Sequence, residues 1–279
     1  MMSDKPVSTN ISLQSDWLLG HRKQITSQLG EDGILEKIFE IIPEGNRWCV
    51  EFGAGDGKLF SNTYNLIVNY NWSSVQVEAN PDRFSVLSNR YSEREDVYCL
   101  NRIISFEGEG MLDDVLSSTP VPEDFDLLSI DIDGNDYHVW SSLERYHPKV
   151  LVIEFNPTIP HYVIFVQKRD FNVNHGCSLA ALVELGKAKG YELICSTQWN
   201  GIFVDKKYYS EFNISDNSIW KMNRNYQFWT YIFQAYDGTI FLGGMNKLLW
   251  HDIPIDLELL QEMIQVLSPE ERVFPDHLR

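Results

Sequence analysis

The chain has 279 residues, 43% of them hydrophobic, and carries a formal net charge of −17. That length supports one large α/β domain with an appendage, or two small domains. The acidic balance repels a phosphate backbone, so nucleic-acid and anionic-membrane partners are excluded as a general mode, and a metal, a cation or a neutral polar ligand is favoured.

Residues 1–45 read as a polar lead and a cap helix. In "SQLGEDGILEKIFEII", Ile34, Leu35, Ile38, Phe39 and Ile42 share one helical face, and Pro43 and Gly45 stop it. A regular alternation follows over 46–205. "RWCVEFG", "SSVQVEAN", "DVYCLNRIIS", "DFDLLSIDIDG" and "KVLVIEFN" are strand candidates. "NTYNLIVNY", "DRFSVLSNRY", "MLDDVLSS" and "YHVWSSLERY" are the helices between them. "SLAALVELGKAKG" is a further helix, followed by strands "YELICSTQ" and "NGIFVDKKYY" read as an antiparallel edge pair. Apolar strands alternating with helices predict a Rossmann-like, doubly wound α/β fold with a mostly parallel seven-stranded sheet covered on both faces. Residues 206–279 are aromatic-rich and irregular before a final helix, "DLELLQEMIQVLS". They read as an extension packed on the main domain, too small for its own core.

Cys49, Cys99, Cys177 and Cys195 have no zinc spacing. Cys177, in the turn "NHGCSL", is the one expected to be exposed. No apolar run reaches membrane-spanning length and "MMSDKPVSTN" lacks a signal-peptide pattern. A cytoplasmic chain with reduced thiols is expected.

In an open parallel sheet, ligands sit beyond the carboxyl ends of the strands. Here those ends are polar. The first carries Glu51, Gly53, Ala54, Gly55, Asp56 and Gly57; the second Glu78, Ala79 and Asn80; the third Asn101 and Arg102. The fourth carries Asp131, Asp133, Gly134 and Asp136, and the fifth Glu154 and Asn156. A dinucleotide site wants GxGxxG with a helix starting at the turn. This chain has GxGxG preceded by an acid, which repels pyrophosphate and suits a sulfonium- and amine-bearing ligand such as S-adenosylmethionine. Glu78 suits a ribose diol, but in either ligand class.

"VEFGAGDG", "VEAN", "DLLSIDIDGND" and "SLAALVELGKAKGYELI…NGIFV", with "SQLGEDGIL" ahead of them, resemble the FkbM-type S-adenosylmethionine-dependent methyltransferases over residues 25–205. The resemblance implies a class I methyltransferase fold. It also implies Glu51, Gly53, Gly55 and Asp56 around the methionine moiety, Glu78 on the ribose and Asn101 to Ile103 near the adenine.

Carboxylates gathered on one rim repel one another unless a cation, protons or donors intervene. A divalent metal such as Mg2+ on Asp131, Glu154 and Asn156, with Asp133 in reserve, is one solution, and resembles magnesium-dependent O-methyltransferases. In the others, Asp133 and Asp136 cap the next helix, Asp131 accepts from the ligand's amino group, or His138 or an acid is the general base. Asp131, Asp133 and His138 are therefore the catalytic candidates. His161 and His175 flank a loop able to cover the acceptor. The leading expectation is an O-methyltransferase acting on a small-molecule, sugar or natural-product hydroxyl. A nicotinamide-dependent oxidoreductase and a non-catalytic binding protein on the same fold are the competing readings. Homo-oligomer formation is left open.

Overall fold

The computed structural model describes residues 14–43, 45–235, 238–248, 253–264 and 267–271. The polar lead 1–13 and part of the final stretch lie outside them. The main body runs α1 (Glu31–Ile41), β1 (Trp48–Phe52), α2 (Tyr64–Tyr70), β2 (Ser73–Val77), α3 (Pro81–Arg90), β3 (Val97–Leu100) and α4 (Leu112–Ser117). It continues through β4 (Leu127–Ile130), α5 (Asp136–Ser142), β5 (Val150–Glu154), α6 (Leu179–Lys189), β6 (Tyr191–Ser196) and β7 (Asn200–Asp205).

The sheet has seven strands in the order β3-β2-β1-β4-β5-β7-β6. The β1–β2, β2–β3, β1–β4 and β4–β5 pairs are parallel. The expected Rossmann-like α/β fold is therefore present. The two last strands form the expected antiparallel pair at one edge of the sheet, with β6 outermost. β7 inserts between β5 and β6 and runs antiparallel to both. A short hairpin turn after β6 has no length for a crossover, so β7 must return antiparallel. β5, buried from Val150 to Ile153, offers it a second partner, and every residue of β7 is buried.

Local chemistry sets the ends of the helices. Asn80 caps α3 by accepting from the Asp82 and Arg83 N–H groups, ahead of Pro81 at the first position. Ser178 caps α6 through the Ala181 N–H, and Gly190 ends it in the left-handed region. The core lies on both sheet faces. Phe52, Phe125, Trp140, Tyr191 and Phe203 are its large, fully buried members. Each such side chain contributes roughly 1.5–3 kcal/mol by leaving water.

Beyond β7, Phe212, Ile214 and Met222 join this core, the last from α7 (Ile219–Met222). β8 (Thr230–Gln234) and β9 (Ile240–Gly244) then form a separate antiparallel hairpin, with β8 exposed along its length. β10 (Lys247–Leu248) and β11 (Ile253–Pro254) pair briefly, and α8 (Leu257–Ile264) follows. Cys177 is buried, not exposed. Its backbone bridges Val166, and its carbonyl accepts from the Asn156 N–H, which draws the turn inward.

β1 and β4 part company at Phe52 and Ile130, the point where strand order reverses. Here Gly53 has φ +72°, and a Cβ on it would collide with the Asp131 carbonyl oxygen. Gly55 has φ +57° but faces open space. We expect Gly53→Ala to lower the unfolding midpoint severely, because overpacking against backbone adds to the left-handed penalty. Gly55→Ala should cost only about 1–2 kcal/mol in a denaturant titration. Equal losses would show that the β1–β4 approach is not the tight point.

Candidate active site

A cleft of about 680 Å³ opens over the β1–β4 switch point. From β1 toward β3 it is lined by Gly53 to Asp56, Glu78, Ala79 and Arg102; toward β5 and β7 by Asp131, Asp133, Glu154 and Trp199. Ile104 lines it, whereas Ile103 is 67% exposed and does not. Asn80 is spent on the α3 cap.

Glu51 is buried, and its oxygens are committed within the protein. Oε1 accepts from the Asn62 N–H (2.8 Å), and Oε2 from the hydroxyls of Ser61 (2.6 Å) and Thr63 (2.7 Å). Burial raises its carboxyl above the ordinary value against the pull of these donors. Glu51 thus fixes the 61–63 segment as a wall of the cleft. Glu78 is held by backbone: Oε2 accepts from the Gly55 N–H and Oε1 from the Asn80 N–H, both at 2.7 Å. A carboxylate has about four lone-pair sites, so two remain to face the cleft.

Asp56 occupies its own turn. Oδ1 accepts from the Lys58 and Leu59 N–H groups (2.9 and 2.8 Å), and Oδ2 pairs with Arg90 at 3.0 Å. Arg90 Nε also donates to the Asp56 carbonyl, and the Tyr91 hydroxyl donates to the Gly57 carbonyl. The last turn of α3 thereby clamps the glycine loop. α2 begins only at Tyr64, so the helix that follows the glycine turn does not bring its N-terminus to it.

At the other end, single ligand oxygens of Asp131, Asp133 and Glu154 lie within 4.8 Å of one another. Asp136 makes this possible. Its Oδ1 accepts from the Ile132 N–H and its Oδ2 from the Gly134 N–H, both at 2.9 Å. It therefore ties the 131–134 turn rather than simply capping α5. Asp133 sits at φ +56° within that turn. The Asp131 carboxyl, open to the cleft but enclosed by protein around it, is pushed up to about 7 first by that enclosure, then by Asp136, Asp133 and Glu51. Glu154 is driven well above the ordinary range by burial, then by Asp131, Asp136 and Asp133.

Asn156 is not part of that gathering. Its Oδ1 accepts from the Thr158 N–H and hydroxyl, its Nδ2 donates to the His175 carbonyl, and it lines a second opening of about 370 Å³. That opening shares Asp133 and Glu154 with the cleft. His138 is buried on α5 with Nε2 2.8 Å from the Gln167 carbonyl, and is not on the cleft wall. Burial lowers its pKa. His161 is also buried, within a ring cluster that includes Trp220, Tyr226 and Trp229. His175 borders the second opening.

No family model matches the chain, and no curated protein matches it. Solved structures with similar traces include the citrinin polyketide synthase CMeT domain (11% identity, TM-score 0.40), covering 63% of this chain and 51% of that one. The chain therefore spans about half the length of that structure. An S-adenosylmethionine-dependent methyltransferase from Clostridium acetobutylicum (10%, TM-score 0.39) covers 62% and 89%. TrmK of M. capricolum, solved with S-adenosyl-homocysteine (8%, TM-score 0.36), covers 61% and 67%. Among the described residues, no helix is long and apolar enough to cross a membrane.

The raised acids carry a stability signature. A carboxyl raised in the fold favours the protonated native state, so its contribution is lost as pH rises toward the folded pKa. Asp131→Asn should therefore raise the melting temperature relative to wild type at pH 8. The gain should shrink through the interval from about 7 down to about 4. A gain that is constant with pH would mean that the cluster does not titrate in this window.

Proposed function

We propose that the chain is an S-adenosylmethionine-dependent methyltransferase that transfers the methyl group to a hydroxyl of a small molecule, sugar or natural product. The observation that carries this reading is Asp56. A dinucleotide pyrophosphate would need the N–H groups that follow the glycine turn, together with a helix N-terminus. The Asp56 carboxylate already occupies the Lys58 and Leu59 N–H groups, and the next helix starts at Tyr64. The turn suits a ligand without phosphate. In this reading Glu78 faces the ribose hydroxyls, and the gathering of Asp131, Asp133 and Glu154 at the adjoining β4–β5 end of the cleft supports their acting where the methyl group is offered.

The chemistry is an in-line displacement. The acceptor hydroxyl gives its proton to a carboxylate of this cluster as its oxygen attacks the methyl carbon. The carbon–sulfur bond breaks, and S-adenosylhomocysteine and a methyl ether leave. Asp131 is the best-tuned base, because a pKa near the working pH combines availability of the base form with driving force. The donor set of three carboxylates also fits a hard divalent ion such as Mg2+. When bound, that ion would polarise an oxygen. Asp131, Asp133 and Glu154 would hold it.

Three measurements test the reading. Calorimetry should show binding of S-adenosylhomocysteine and none of a nicotinamide dinucleotide; the reverse would transfer the site to redox chemistry. Glu78→Ala removes charge-assisted acceptors worth about 1.5–3 kcal/mol, so cofactor affinity should fall at least about tenfold. Turnover should rise with pH through about 7 and lose that inflection in Asp131→Asn. Turnover that survives excess chelator, with the inflection intact, assigns the proton to Asp131 without a metal; turnover abolished by chelator, with cofactor binding intact, assigns the acids to the ion.

A further inference from the structure

Resting on that reading, we infer that Trp199 and Gln28 form a recognition wall for the acceptor. Glu31 holds the two parts of the wall together, and the acceptor it selects carries its hydroxyl on an uncharged, apolar ring.

The strand order locates the wall. The cofactor side of the cleft runs from β1 through β2 toward β3, so the other side, β4-β5-β7, is left for the acceptor. Trp199 immediately precedes β7, and Asn200 pairs with Glu154. The Trp199 carbonyl accepts from the Phe155 N–H at 2.8 Å. The Trp199 backbone therefore stands at the β5–β7 end of the cleft rather than beside β2, and its indole, tilted against Phe228 with ring centroids 5.2 Å apart, lines the cleft there. Trp199, Gln28, Leu59 and Phe60 all line this cleft.

Glu31 is fully buried and joins elements that are far apart in sequence. Its Oε1 accepts from the Thr197 hydroxyl (2.8 Å) and Asn200 Nδ2 (3.0 Å), on either side of Trp199. Its Oε2 accepts from the Leu29 N–H at 2.8 Å, one residue past Gln28. Asp32 fixes the same segment by accepting from the N–H groups of Ile25, Thr26 and Ser27. Ser27 in turn bridges Phe60, and the Thr26 hydroxyl donates to the Ser61 carbonyl. The motif "SQLGED" thus fastens three loops around one end of the cleft.

The surface so fastened is apolar where water would favour polar groups. Leu59 is 68% exposed and Phe60 55% exposed. Phe60 is held at φ +62°, a left-handed conformation that a bulky side chain adopts only when its surroundings impose it. Apolar side chains gathered at the mouth of a cleft above a few polar groups mark a ligand site. Trp199 adds a flat ring, and Gln28 an amide for a polar edge. The carboxylates at the floor oppose an anionic acceptor.

The test uses the full chain saturated with S-adenosylhomocysteine and three probes by ligand-observed NMR: 2-naphthol, myo-inositol and 3-hydroxy-2-naphthoate. We expect 2-naphthol to bind at least about tenfold more tightly than the other two. Trp199→Ala should weaken 2-naphthol about tenfold, and Glu31→Gln severalfold, with S-adenosylhomocysteine affinity kept within about twofold in both. A general loss of packing would weaken both ligands together, and that outcome overturns the positioning role. Inositol or the naphthoate binding as tightly as 2-naphthol overturns the ring specificity. Unchanged 2-naphthol affinity in Trp199→Ala overturns the wall. Failure of wild type to bind S-adenosylhomocysteine instead overturns the methyltransferase reading, independently of the probes.

Discussion

Buried carboxylates that accept backbone N–H groups are the constraint on which this molecule depends. Asp32 gathers the N–H groups of Ile25, Thr26 and Ser27, and Glu31 that of Leu29. Glu51 takes Asn62, Glu78 takes Gly55 and Asn80, and Asp136 takes Ile132 and Gly134. Loops at the carboxyl ends of parallel strands have no ladder partners for their donors. Inside a protein, such donors must find acceptors. A charged acceptor forms a shorter and stronger bond than a neutral one. Part of the net charge of −17 is therefore internal scaffolding.

This scaffolding separates two kinds of acid at the same rim. Glu51 and Asp136 are saturated by donors and act on shape. Burial raises the carboxyls of all four, but Asp131 and Glu154 lack that set of donors and are crowded by other acids. The distinction is one of environment, since the residue types are the same. It divides the cleft into a rigid side, where Glu78 is held by backbone, and a reactive side, where charge is left unrelieved.

Much of the sheet was legible, because apolar strand runs alternating with helices leave few other packings. The adjacency of β4 and β5 followed from their order, and the acids at their ends do converge. The members of the cluster were less legible. Asn156 sits two residues after Glu154, yet a local turn through Thr158 claims its side chain, and Asp133 takes the place by way of a left-handed backbone. Ile103 faces solvent and Ile104 the cleft for a related reason. β3 stops at Leu100, so strand alternation no longer sets the facing beyond it, and Ile104 turns inward. His138 lay next to the acids in sequence, but about half a helical turn from Asp136 carried it to the face that packs on the 167 segment. Glu31 lies in "SQLGEDGIL", but its link to the residues on either side of Trp199 carried no local signal, since it spans the length of the domain. The insertion of β7 between β5 and β6 was hidden in the same way.

The Glu31 link also bears on how the chain reaches this state. Residues 31 and 200 are separated by 169 positions, and the Glu31 carboxylate meets Asn200 and Thr197 only once β7 has paired with β5. Contacts of such long sequence separation form late, after loop-closure entropy has been overcome by the strands between them. During synthesis, the Glu31 carboxylate stays hydrated until partners that lie 169 residues further along the chain cover it. The half of the domain from β1 to β5 can assemble first, with one end of its ligand cleft still open. Closure of that end coincides with completion of the sheet, so the cleft has its full wall only when β7 is paired with β5.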